Sequence, residues 1–486
     1  MTSPELGTWK KWFAGAAALS WAALGLLWAQ VIVLPSPLLP PPFLAEWLGE
    51  VPATTRPDRF VVMILKGKSL LLCAFALLGL LPAALAWRAG ARGGSLVAAL
   101  LCAGTVAISL IPMAQAQRVA SAEGVTLSLP GYFAGPAPSS EHPPETATYA
   151  RPGGEELKLD VWRPDDDSSG SPAAERGRPA VVVVHGGGWR SGTRGEFPEW
   201  NAWLADKGHV VFDIDYRLSA SNWQEAPSDV ACAVGWVKDN AERYGVDPGR
   251  VALMGRSAGG HLALLAAYTR GPAAPTPGCE APGTRETEVA AVAAFYPPTD
   301  LARLSRQEYL GGIDRFLGGD PEAVPGRYRL LSPISRVGPG DPPTFLAHGG
   351  ADEIVPPEES ELLTGRLREA GVPHNLVELP WANHTFDFLW GGWGSQVTRY
   401  SLERFLEKHL ETPEGAKLPP FKSPEKERGG KGTVEQEREL GWPGGGPRDT
   451  IPDKGGPPRA GRPRRQQRRR RWTRPRSRRC GRCCRR

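Results

Sequence analysis

Hydrophobic and polar positions along this chain fall into successive regimes. Near the N-terminus the apolar residues run on unbroken: positions 12–34 are about 23 residues with no charge, enough at 1.5 Å per residue to cross a hydrocarbon core. Positions 69–87 and 95–114 are two further uncharged runs of about 19 and 20 residues, joined by a short turn carrying Arg88 and Arg92. Three such runs exceed what the core of a soluble helical hairpin uses, and the two later spans argue against reading the first as a cleaved signal peptide. The chain therefore opens on an α-helical membrane region, placed at 1–117 with three spans. Positions 118–145, rich in Pro, Ser, Ala and Gly, hold no sustained period and read as a linker.

From about 146 to 410 the pattern changes to short β-branched runs alternating with longer stretches of helical spacing. That alternation predicts one α/β domain, a mostly parallel sheet with helices on both faces. The expected strands are 157–162, 180–184, 210–214, 251–254, 289–295, 344–347 and 375–379, and the near-continuous valines suit strands covered on both sides. The expected helices are 196–207, 228–244, 260–269, 357–370 and 396–410. In such a sheet the ligand crevice lies beyond the carboxyl ends of the strands, so chemistry is sought in the residues directly after them.

Three of these places carry it. At Val251-Ala-Leu-Met-Gly-Arg-Ser-Ala-Gly-Gly260 an apolar run stops, turns at Ser257 and enters a helix-forming segment. Glycines at 255 and 259 fit a reversal too crowded for side chains, which leaves Ser257 Oγ held out at the strand tip. A serine hydroxyl is a poor nucleophile at neutral pH and needs a base, a group orienting that base, and donors for the oxyanion. The donors are sought in His185-Gly-Gly-Gly-Trp189, where the N–H groups of Gly187 and Gly188 turn toward one point together with that of Ala258. His185 itself is read as a brace for the loop. The base is His384, in Pro380-Trp-Ala-Asn-His-Thr-Phe386, and the orienting acid is Asp352, in the loop after 344–347, with Glu353 and Asp300 as its rivals. His209, His261, His348, His374 and His409 are given structural roles. The order Ser257, Asp352, His384 is that of the α/β-hydrolases.

These segments, with Asp215-Tyr-Arg217 and Tyr244-Gly-Val-Asp-Pro-Gly-Arg-Val251, resemble the carboxylesterase and hormone-sensitive-lipase-like branch of the α/β-hydrolase fold over about 146–410. The resemblance implies Ser257, Asp352 and His384 as a catalytic triad, with Gly187, Gly188 and Ala258 as the oxyanion hole. It also implies a serine esterase or lipase acting on small-molecule or lipid esters through an acyl-enzyme, with no metal or organic cofactor. Isoprenylcysteine methylesterase-like or arylformamidase-like hydrolysis, and a catalytically silent binding module, are the alternatives. Arg256 departs from the acidic or small residue often found before the nucleophile, a departure expected to bear on substrate preference.

Charge refines the picture in one respect. The chain carries a formal +6, but its last thirty residues hold 15 arginines and no acid, so the rest is net negative. The basic pI belongs to a tail, 411–486, that is expected to be disordered and in which nucleic-acid or anionic-lipid binding is the lesser reading. The seven cysteines form no regular framework, and the spacing of Cys480 and Cys483 without a second pair or nearby histidines argues against zinc. Lys10, Lys11, Arg88 and Arg92 favour a hydrolase domain outside the cytoplasm, against Arg56, Arg59, Lys66 and Lys68.

Overall fold

The computed structural model describes residues 4–33, 57–134, 144–164, 177–218, 223–269, 287–306 and 312–410. The Arg-rich tail, with the readings of disorder, zinc and nucleic-acid or lipid binding that fall on it, lies outside them.

The N-terminal region begins with α1 (Pro4–Val33), α2 (Pro57–Gly67), α3 (Ser69–Arg88) and α4 (Arg92–Ser109). Within the described residues, 8–33, 69–88 and 92–123 are long and apolar enough to cross a membrane. The first, third and fourth helices meet through small side chains, Ala18, Ala22, Ala83, Ala86, Ala98 and Cys102, which let the backbones approach closely. Gly79 makes room for the Trp21 ring, which stacks on Phe75 at 4.4 Å. Their outward faces carry Leu24, Leu71, Leu77, Leu78, Leu81, Leu85 and Leu100, all exposed.

The described start of the stretch expected to be a linker, 118–134, contains helical segments. Helix α5 (Ile111–Glu123) continues from α4 and ends on Gly124 in the left-handed conformation, and a short helix α6 (Leu129–Ala134) comes next. No long apolar run marks them, because they are anchored by small or single side chains: Ala116, Ala120, Val125 and Tyr132 enter the core of the α/β body. Tyr132 stacks on Trp393 at 4.3 Å.

Eight strands among the described residues form one sheet: β1 (Glu145–Ala150), β2 (Leu157–Trp162), β3 (Arg178–Val184), β4 (Val210–Ile214), β5 (Val246–Arg256), β6 (Ala291–Phe295), β7 (Thr344–Gly349) and β8 (His374–Leu379). Their order is β1-β2-β4-β3-β5-β6-β7-β8, antiparallel across β1, β2 and β4 and parallel from β4 to β8. Every expected strand is present within a few residues, and β1 is an addition at the edge. Alternation along β3 divides the core: Ala180, Val182 and Val184 face one side, Val181 and Val183 the other. Helices α7 (Pro198–Asp206) and, last among the described residues, Trp393–Leu410 cover the second side together with α5. The first is covered by α8 (Glu225–Asp239), α9 (Ala258–Tyr268) and α10 (Glu358–Glu369). Trp393–Leu410 is α11. The α/β-hydrolase architecture expected from the sequence, preceded by a helical region, is the one observed.

Candidate active site

Strand β5 runs directly into α9, and Ser257 stands at the junction with φ 52° and ψ −120°. A non-glycine residue held there costs on the order of 1–3 kcal/mol, tolerated only where the surroundings over-determine it. They do so here by close approach. A Cβ at Gly259 would run into the carbonyl oxygens of Val184 and His185 at the end of β3, and one at Gly255 into the carbonyl of Gly259. Ser257 N–H donates to the Phe295 carbonyl at 2.9 Å, pinning the turn to β6.

The loops after β7 and β8 bring the other two side chains to the same rim. His384 Nε2 lies 3.0 Å from Ser257 Oγ, and its Nδ1 lies 2.6 Å from Asp352 Oδ2. The second carboxylate oxygen of Asp352 accepts the N–H groups of Ile354 and Val355 at 2.8 and 3.0 Å. The two loops are laced together by Ala351 N–H donating to the Ala382 carbonyl and Gly350 N–H to the Leu379 carbonyl, both at 2.8 Å. Burial opposes the charge of Asp352, but the His384 and His348 imidazoles and their hydrogen bonds outweigh it and hold the carboxyl well below its usual range. The rivals stand elsewhere: Glu353 is exposed, and Asp300 Oδ1 accepts the Arg303 N–H at 3.1 Å, capping a short helix.

The glycine loop after β3 is shaped for amide donation. Gly187 has φ 105°, open only to glycine, and its carbonyl is turned into a tight turn where Arg190 and Ser191 N–H donate to it at 3.2 and 3.1 Å. Among the described residues the N–H groups of Gly187, Gly188 and Ala258 have no protein acceptor, and Ala258 opens α9, where the helix dipole favours negative charge. His185 is a brace, as expected, stacked on Tyr216 at 4.3 Å, and burial pulls its pKa down. His261 is a buried strut as well: it accepts from Trp189 Nε1 at 3.2 Å, and burial pushes it down to about 4. Among the described residues no three His, Cys, Asp or Glu side chains are grouped to hold a metal.

Comparison with known proteins identifies the family. The chain is 31% identical over 412 residues to the probable carboxylic ester hydrolase LipM of Mycobacterium tuberculosis, covering 81% of this chain and 89% of LipM. It belongs to the carboxylesterase, hormone-sensitive-lipase-like branch of the α/β-hydrolases. As a member it is a carboxylic ester hydrolase. The LipM match is longer than everything from residue 145 to the C-terminus, so it reaches back into the N-terminal helices. Esterase LipQ of the same organism is 34% identical over 242 residues, 49% of this chain and 56% of LipQ. A family model described as BD-FAE matches residues 168–367. Among solved structures, an esterase from Thermogutta terrifontis aligns with a TM-score of 0.46 and 28% identity, over 57% of this chain and 97% of that one.

Within this α/β-hydrolase site, the structure adds Asp387 and Tyr296, which sequence reasoning passed over, and gives Arg256 and His348 definite partners. Arg256 was expected to bear on substrate preference, but it is only 1% exposed and turned into the core. Its Nε donates to Asp387 Oδ2 at 2.5 Å, and its guanidinium lies over the rings of Phe197, Trp200 and Phe295. Tyr296 donates its hydroxyl to the other oxygen of Asp387 at 2.5 Å, and its ring is 4.4 Å from that of His384. Asp387 thus joins the residue before Ser257 to the segment that carries His384. His348, assigned a structural role, sits with Nε2 3.4 Å from Asp352 Oδ2 while bonded to Ser360 and to the Val355 carbonyl. The signals were faint: an arginine where none is usual, and an acid three residues past a histidine.

Proposed function

We propose that this carboxylic ester hydrolase is a membrane-anchored serine esterase whose nucleophile, base and orienting acid are Ser257, His384 and Asp352. The observation that carries the reading is the double contact of one imidazole, 3.0 Å from the serine oxygen and 2.6 Å from a buried carboxylate. His384 takes the Ser257 proton as Oγ adds to the ester carbonyl, and the N–H groups of Gly187, Gly188 and Ala258 stabilise the oxyanion. Collapse expels the alcohol, which receives the proton from His384, and leaves an acyl-Ser257. Water, deprotonated by His384, then adds to the acyl group and releases the acid with Ser257 restored. Asp352 holds the imidazole tautomer and offsets the imidazolium charge.

The membrane part of the reading is supported by three helices of sufficient length and apolarity and by their exposed leucines. An extracytoplasmic catalytic body is the orientation that Lys10, Lys11, Arg88 and Arg92 favour under the positive-inside rule. The test uses the full chain in detergent. It should hydrolyse p-nitrophenyl acetate and be labelled by a fluorophosphonate, and Ser257→Ala should lower kcat/KM by about 10⁴-fold or more and abolish labelling. An active wild type whose Ser257→Ala variant keeps its turnover would refute the assignment of the nucleophile, and an inactive, unlabelled wild type would favour the silent binding module.

A further inference from the structure

Helix α2 is short and placed immediately before the second apolar span, and Met63 on it meets the segment that carries His384. Met63 and Lys66, three residues apart and so on one side of the helix, are 5% and 4% exposed. Thr385, the residue next to His384, places its hydroxyl oxygen 2.7 Å from the His384 carbonyl and 3.3 Å from Met63 Sδ. Gly67 lies against Leu389 so closely that a Cβ added there would be 2.5 Å from Leu389 Cδ1. Just beyond it, Lys68 Nζ donates to the Tyr132 carbonyl and Leu70 N–H contacts the Tyr132 hydroxyl at 3.2 Å, tying the start of α3 to the catalytic body. Burial pulls the Lys66 ammonium below its usual range, while the Glu353 and Asp352 carboxylates pull it back up, so the helix carries a cation into the field of the acid loop.

These contacts bring the segment beside His384 against the helix that leads into the second apolar span. The apolar run of α3 begins at Ser69, six residues after Met63 and beyond a break in the helix at Lys68, where φ is −121° and ψ 37°. The next side chains of α3, Leu71, Leu77 and Leu78 among them, are exposed and apolar. The segment that carries His384 is therefore packed a few residues before the second apolar run begins.

We infer that α2 is the bilayer-side wall of the active site and that the ester reaches Ser257 from the membrane, so that the enzyme acts on membrane-resident amphiphilic carboxylic esters. This rests on the serine-esterase reading above and goes beyond it in naming the substrate class. A wall that includes the apolar Met63 would admit an acyl chain without passage through water, where every exposed CH₂ is unfavourable.

The test uses the full chain reconstituted in phosphatidylcholine vesicles, with p-nitrophenyl palmitate dissolved in the bilayer and p-nitrophenyl acetate in the water. The palmitate rate should follow its mole fraction in lipid, falling about tenfold when inert lipid is raised tenfold at constant bulk ester. Met63→Glu should lower kcat/KM for palmitate at least tenfold more than for acetate. Gly67→Cys paired with Leu389→Cys should form a disulfide in the membrane, since a Cβ at 67 lies 4.0 Å from that of Leu389, within the usual range for such a bond. Hydrolysis of acetate with no palmitate turnover, a palmitate rate indifferent to lipid dilution, equal losses on both esters for Met63→Glu, or no cross-link in a folded double variant would each overturn the inference while leaving the esterase reading intact. Loss of acetate hydrolysis by the wild type would instead remove the reading beneath it.

Discussion

Arg256 shows how a single residue can carry more than its position suggests. Its guanidinium is buried, stacked among aromatic rings and paired with an equally buried carboxylate, so neither partner has water to fall back on. Removing one member of such a pair costs about 3–5 kcal/mol, because the other charge is left uncompensated. Asp387→Ala should therefore lower the melting temperature sharply and, through the slackened His384 segment, reduce kcat. Asp387→Asn, which keeps an acceptor oxygen for Tyr296 or Arg256, should lose less of both. Thermal unfolding and steady-state kinetics on the two variants in detergent check this, and equal behaviour of both variants and the wild type would contradict it. The arginine was visible in the sequence as a departure from the usual residue. Its direction was not, since the partner lies 131 positions away on another loop.

Asp213 acts between elements, joining β4 to the loop after β3 and to α7. Its Oδ2 accepts the Gly195 N–H and Asn201 Nδ2 of α7, each at 2.7 Å. Burial pushes its pKa up to about 7, although these hydrogen bonds and the charge of Arg256 oppose the rise. Between the ordinary carboxylate range and about 7 the native state holds a proton that the unfolded chain has released. The contribution is thus full at low pH and lost as pH rises through about 7. Asp213→Asn should flatten the decline in melting temperature between about pH 5 and pH 8, and an unchanged slope would count against it. Element boundaries show the same division between local and distant causes. The strands after which the candidate residues come were legible as compact valine and alanine runs. Edge strand β1 was not, because its Glu, Thr and Ala residues form no apolar run and its pairing with β2 is what makes it a strand.

At the scale of the molecule, the N-terminal helices and the α/β body share a core. Tyr132 against Trp393, and Ala120 among the residues beneath α11, put the described start of the expected linker, 118–134, against that core. Ser401 and Arg404 of α11 also donate to Glu123 at the end of α5. A chain beginning at residue 144 should expose this face, melt about 5 °C or more below one beginning at residue 110, at roughly 2–4 °C per kcal/mol, and elute as aggregate in size-exclusion chromatography. Equal melting temperatures and monomeric elution for both would show that α5 and α6 only lean on the body.

The sequence by itself determined the kinds of chemistry and their order along the chain: a serine between crowded glycines, a glycine loop after a strand, and an acid and a histidine in later loops. These are legible because steric crowding at a turn and burial of a strand are imposed by neighbours a few residues away. Only the tertiary structure decided that Arg256 faces inward to Asp387, that the start of the expected linker packs against the core, and that α2 stands beside His384. Each depends on which distant segments the closed sheet brings together, and no local pattern encodes that distance.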